Sequence, residues 1–149
     1  MPRVVARDEV ALPHRVEDVY AVLLDFPAYG EWWPRLLSFR MLGSDPVGVG
    51  TRVRFGHAVL VSWTAVVTEL QPNARIAMLY DGGACVGEAM WTMEAAGNAT
   101  RIAYSIDLAV RPWYLRGLSR VLDFSREHRR QIHRVFLALD RRLVELNRQ

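Results

Sequence analysis

Lysine is absent from this chain: all 19 basic residues are arginine, set against 16 acids. With alanine, valine and glycine abundant, this reflects a coding sequence rich in G and C before it reflects any chemistry. Cysteine is nearly absent. The single residue, Cys85, excludes an internal disulfide and a metal site built from several cysteines; it reads as a small core residue in a strand. No apolar run approaches the roughly 18–20 residues of a membrane span, so no transmembrane segment is expected. The opening MPRVVARDEVAL has no signal-peptide core, being broken by Asp8 and Glu9, and a cytoplasmic location is expected. Catalytic signatures are missing as well: there is no HExxH, glycine-rich phosphate loop, GxSxG or CxxC. His128 and His133 stand roughly 140° apart around a helix and cannot share a metal from one face. His14 falls in a turn with no evident partner. Neither a metal site nor a cofactor is expected.

What is present is the composition of an ordinary globular domain, 51% apolar and 23% charged over 149 residues. A chain of this length buries roughly 68–70% of its unfolded surface around one core, and residues 1–149 are expected to form a single domain. The charge is uneven. Residues 111–149 carry ten arginines against Asp123, Glu127, Asp140 and Glu145, whereas the first 110 residues carry nine arginines against twelve acids. A basic C-terminal segment suits a nucleic acid, a membrane surface or a protein partner, and equally a solvated face whose arginine stems cover apolar neighbours. No nucleic-acid module accompanies it, so no nucleic acid is expected.

Hydrophobic periodicity divides the chain. Val4–Leu12 reads as a strand with a charged interruption at Arg7–Glu9, ended by Pro13. Val16, Val19, Tyr20, Leu23 and Leu24 then recur at helical spacing, with Glu17 and Asp18 in the first turn where carboxylates suit the helix dipole. Pro27 stops that helix, and a short turn or second helix carries Tyr29, Trp32 and Trp33 to Pro34. Period-two alternation follows in six segments, around Leu37–Met41, Val53–His57, Val59–Leu70, Ile76–Tyr80, Val86–Ala95 and Ile102–Leu108, separated by turn residues such as Gly43–Gly50, Gly82-Gly83 and Gly97-Asn98. Short turns between such strands predict an antiparallel meander, apolar on one face. From Leu118 to Leu146 apolar or small residues return at three-and-four spacing, predicting a long helix that begins near Pro112 and covers that face. Its stripe is broken near position 129, where Ser125, His128 and Arg129 stand. A helix packed on a sheet with such a break borders a hollow. The reading is an α+β domain in the order strand, two short helices, six strands, long helix.

Several stretches, in this order and spacing, resemble one family. LPHRVEDVYAVLLDFPAYGEWWP (12–34), Gly50-Thr51, VTELQP (67–72) and ATRIAYSIDL (99–108) are similar to the START-like, or SRPBCC, superfamily, in its polyketide cyclase/dehydrase and coenzyme-Q-binding branches. The resemblance spans nearly the whole chain. It implies a helix-grip fold, in which a curved seven-stranded antiparallel sheet wraps the C-terminal helix and two short helices roof an apolar cavity. It also implies a hydrophobic ligand of lipid, polyketide or isoprenoid type, held by a carrier or turned over by an enzyme. One departure is visible: the aromatase/cyclase branch places an arginine four residues after a tryptophan in the fourth strand, and here Trp63 is followed at that spacing by Val67.

Candidate ligand-binding residues are the inward positions with aromatic or polar-tipped side chains: Trp33, Phe55, His57, Trp63, Tyr80, Trp91, Tyr104, Ser125, His128 and Arg129. A pocket is mostly apolar with a few convergent polar groups, whereas a solid core favours leucine, isoleucine and valine. Each aromatic alone is equally a core residue whose N–H or O–H meets a local partner. Two adjacent indoles do not both point inward, so one of Trp32 and Trp33 faces the pocket mouth. His57, Tyr104 and Arg129 are expected to orient the oxygenated end of a hydrophobic small molecule. The same groups serve a polyketide cyclase/dehydrase-type enzyme, and a quinone or lipid chaperone would in addition dock on a protein through the basic helix. No catalytic residue is assigned.

Overall fold

The structure, a computed structural model, describes residues 3–57, 61–111 and 121–149; of residues 57, 61 and 121–125 it describes the backbone alone. Seven strands, β1 (Arg3–Leu12), β2 (Leu37–Leu42), β3 (Arg52–His57), β4 (Val61–Gln71), β5 (Arg75–Gly83), β6 (Cys85–Ala96) and β7 (Ala99–Val110), form one sheet in the order β1-β7-β6-β5-β4-β3-β2. Every pairing is antiparallel. Helix α1 (Val16–Leu24) and a 3₁₀ helix (Phe26–Glu31) lie between β1 and β2, and helix α2 (Val121–Asn147) follows β7. This is the α+β helix-grip architecture. The predicted helix start between Pro112 and Leu118 lies outside the described residues. Among the described residues no helix is long and apolar enough to cross a membrane.

Alternation sets which face is covered. In β7, Thr100, Ile102, Tyr104, Ile106, Leu108 and Val110 are all buried on the inner face, while Arg101 points to solvent. In β5 the same role falls to Ile76, Met78 and Tyr80. α2 answers with Ile132, Val135, Phe136, Leu139 and Leu143, all buried, the 3-and-4 spacing of a helix lying on a sheet. α1 adds Val19, Val22 and Leu23. Burial of apolar area at roughly 25 cal/mol per Å² makes this shared face the main source of stability.

The sheet curves where its backbone allows it. β4 carries register irregularities at Thr64/Ala65 and Val67/Glu69, and an extra residue in one strand bends it and strengthens its twist. Gly83 (φ +87°) and Gly87 (φ +139°) sit where a Cβ would collide with the carbonyls of Ser62 and Asp107, respectively. Glycine is required at both, for the positive φ and for the close approach of the neighbouring strand. The turn reading of Gly82-Gly83 is therefore adjusted: β5 runs through Gly83, and the hairpin turns at Ala84.

His14 is not the partnerless turn residue that the sequence led us to expect. It is buried at the β1–α1 junction, and its Nε2 lies 2.6 Å from Asp140 Oδ1 on α2. The Thr100 hydroxyl donates to the His14 carbonyl at 2.7 Å. Together with the Arg142–Glu31 pair at 2.6 Å, these contacts fasten the C-terminal half of α2 to the helical corner.

Candidate functional site

Packing is not uniform along the inner face. Towards the N-terminal half of α2 the side chains leave a cavity of about 110 Å³ between helix and sheet, lined chiefly by aromatic rings. The rings form a connected set. Tyr29 donates its hydroxyl to the Leu23 carbonyl and stacks on Trp33, centroids 4.9 Å apart. Phe39 and Phe55 meet edge to face at 5.2 Å, and Phe55 stacks on Trp63 at 6.0 Å. Trp91 lies 4.7 Å from Tyr104 and 6.1 Å from Phe136. Rigid planar side chains contribute large apolar area, yet they do not interdigitate as branched aliphatics do.

Polar groups are few and placed at specific points. The Tyr80 and Tyr104 hydroxyls, one from β5 and one from β7, lie 2.6 Å apart within hydrogen-bond distance. The His128 ring stacks over Tyr104 at 5.9 Å and 19°. Glu127 and Gln131 complete the helical side of the lining, and Gln131 donates to Glu127. On the opposite wall, the indole N–H groups of Trp33 and Trp63 are buried and have no hydrogen-bond partner among the described residues. The Trp63 indole ring lies beside that of Tyr80, centroids 6.1 Å apart.

Electrostatics keep the Tyr80, Tyr104 and His128 group neutral. Burial raises Tyr80 well above the ordinary phenol range, with Tyr104 adding to the effect. Burial pushes Tyr104 up to about 12, partly offset by its hydrogen bond with Tyr80. The Cys85 thiol is pushed up to about 12 by burial, which leaves it an inert lining group rather than a nucleophile. Burial lowers His128, and the Asp8 carboxylate offsets part of that, so the imidazole is neutral at pH 7.

Of the sequence-derived candidates, Trp33, Phe55, Trp63, Tyr80, Trp91, Tyr104 and His128 line the cavity together. Trp33 is the inward indole, and Trp32 packs edge-on against it at 5.5 Å. The His57 and Ser125 side chains lie outside the described residues. Arg129 is placed elsewhere: it is 74% exposed, and its Nε lies 3.6 Å from Asp8 on β1. One residue is about 100° of helix, so Arg129 leans to the β1 edge while His128 turns to the hollow. The reading of Arg129 as a ligand-orienting group is corrected on that ground. Tyr29, Phe39, Glu127 and Gln131 were not singled out. Phe39 was readable from the face it shares with Leu37 and Met41, and Glu127 and Gln131 from their i, i+4 relation on one flank of His128. Asp8, read only as a charged interruption, in fact points inward and is 8% exposed.

Comparison with solved structures places this architecture among known proteins. TTHA0849 from Thermus thermophilus superposes with a TM-score of 0.79 at 19% identity, covering 96% of this chain and 99% of that one. A START superfamily protein from Mycobacterium smegmatis gives 0.76 at 16% identity, covering 95% and 98%. The Zhui aromatase/cyclase from Streptomyces sp. R1128 gives 0.75 at 16% identity, covering 95% and 94%. At these identities the likeness establishes the fold. Comparison with curated proteins gives no significant match. Residues 12–135, however, match the sequence model of the family described as polyketide cyclase / dehydrase and lipid transport. That match runs from the end of β1 through the cavity-lining half of α2, and the chain belongs to this family.

Proposed function

We propose that the protein encloses a hydrophobic small molecule of lipid, polyketide or isoprenoid type in the cavity between its sheet and α2, and that its role is binding rather than turnover. The observation that carries this reading is the pairing of an aromatic lining with two buried indole N–H groups, Trp33 and Trp63, that have no partner among the described residues. A buried unsatisfied donor costs about 1–3 kcal/mol; an acceptor oxygen on a ligand would recover it. The ligand is accordingly a flat or unsaturated molecule with carbonyl or ether oxygens, its apolar body against Phe39, Phe55 and Trp91. A cavity of about 110 Å³ is of the order that takes one small ring, so a larger ligand displaces side chains at the rim.

The neutral Tyr80, Tyr104 and His128 group favours binding over catalysis. A phenol at about 12 donates a hydrogen bond well but gives up its proton reluctantly. The second reading, a cyclase/dehydrase-type enzyme, rests on His128, neutral at pH 7 and stacked over Tyr104, acting as base on an enolisable ligand. Native mass spectrometry of the purified protein, with displacement of a naphthalene-type fluorescent probe by quinones, fatty acids and aromatic polyketides, tests the proposal. A retained or tightly bound molecule that emerges chemically unchanged supports the carrier. Conversion abolished by His128→Asn, with affinity retained, establishes the enzyme instead. No binding of any of these classes sinks both.

A further inference from the structure

The outer face of α2 carries a feature that the cavity does not use. Arg126, Arg130, His133, Leu137, Arg141 and Val144 are all exposed, at 100° per residue they fall within one strip less than a quarter of the helix circumference wide, and the exposed Arg148 follows in the turn after α2. From Arg126 to Val144 the strip is about 27 Å long at 1.5 Å per residue. Two carboxylates of the same helix are drawn away from it, while Glu145 stays exposed at its edge. Asp140 is taken by His14 at 2.6 Å, and Glu127 accepts from Gln131 at the cavity. Among the described residues, Arg130 alone of the four arginines meets a carboxylate, Glu127 at 3.5 Å. The other arginines of α2 turn elsewhere, Arg129 to Asp8, Arg134 to Gln131 and Arg142 to Glu31. The result is a line of positive charge along the helix, with the exposed Glu145 at its edge. Two exposed aliphatic side chains interrupt it, Leu137 at 61% and Val144 at 36%.

We infer that this strip docks the protein on an anionic lipid surface. Charge complementarity selects a polyanion, since the ionised groups within the strip are arginines whereas residues 1–110 carry more acids than arginines. Geometry selects a planar one: a straight helix edge along the outside of the domain meets a flat surface over its whole length. Leu137 and Val144 then enter the headgroup layer between the arginines, as apolar residues do on interfacial helices. On a duplex those two side chains would face phosphate and water with nothing to gain. Each arginine near an anionic bilayer strengthens binding by about fivefold, and the attraction falls steeply with ionic strength. This inference concerns the outside of α2 and stands whether or not the cavity holds a ligand.

The test is co-sedimentation with vesicles of phosphatidylcholine alone and of phosphatidylcholine mixed with phosphatidylglycerol, at low and at physiological salt, with a short DNA duplex as competitor. Binding is expected to the phosphatidylglycerol vesicles only, weakened by salt and unaffected by the duplex. The variant R126Q/R130Q/R141Q/R148Q should lose it by more than about a hundredfold, and circular dichroism should show α2 intact. Leu137→Ser, which leaves every charge in place, should weaken it severalfold. Failure to bind anionic vesicles at low salt, equal binding by the quadruple variant, or release by the duplex would each overturn the inference.

Discussion

The two halves of the face between α2 and the sheet are built from different side chains and behave differently. Near α1, Val19, Leu23, Ile102, Leu139 and Leu143 are fully buried and fill the space. Towards the other end Trp33, Phe55, Trp63, Tyr80, Trp91 and Tyr104 surround a cavity of about 110 Å³. Branched aliphatics adapt to one another and reach close packing, whereas rings joined edge to face hold their angles and leave a hollow. One helix thus serves as core at its C-terminal end and as cavity wall at its N-terminal end.

This contrast can be broken or sharpened by substitution. Leu139→Ala in the filled half should cost about 2–5 kcal/mol, read from the urea midpoint. Phe55→Leu in the hollow half should cost less than about 1.5 kcal/mol, because its neighbours already lack contacts on one side. Equal costs would erase the distinction. Next in size, removing both hydroxyls in Tyr80→Phe/Tyr104→Phe should weaken ligand affinity by about two- to tenfold, the worth of a neutral hydrogen bond, with little change in the thermal midpoint.

A smaller effect concerns pH. Burial holds His128 below its ordinary value of 6.5, so between that folded value and 6.5 the unfolded chain binds the proton more readily. Stability is full above pH 6.5 and falls as the pH drops towards the folded value, by about 1.4 kcal/mol per unit of depression. His128→Asn should flatten that slope in urea midpoints measured across pH 7 to 5. Smallest of all, Arg129→Ala should leave ligand affinity unchanged and shift stability by about 1 kcal/mol or less, because the guanidinium is 74% exposed and stands 3.6 Å from the buried Asp8. A loss of affinity there would return Arg129 to the cavity.

Strand positions and their inner faces were legible wherever the period was clean, as in β5 and β7. β4 was harder, because its irregularities at Thr64/Ala65 and Val67/Glu69 change which face a side chain meets, and nothing local in the sequence announces them. The aromatic lining was legible because large rings stood at inward positions of strands. The helical side was less so. His128 and Arg129 are adjacent, and choosing between them requires knowing that Asp8 awaits on β1. The His14–Asp140 contact was hidden for the same reason, since its partners stand 126 positions apart. Gly87 read as an ordinary strand residue, yet the nearby Asp107 carbonyl makes it obligatory.

Five of the six strand pairings join neighbours in the sequence, and the sixth joins β1 to β7. There Arg3 and Asp107 clasp across 104 positions. The meander from β2 to β7 can zip up stepwise, but β1 has to wait, and contacts so distant in sequence slow the search for the native state. During synthesis a nascent chain that has not yet reached β7 holds its first strand unpaired. The sheet therefore closes late, when nearly all of the polypeptide is available, and that interval is when this protein is most exposed to aggregation.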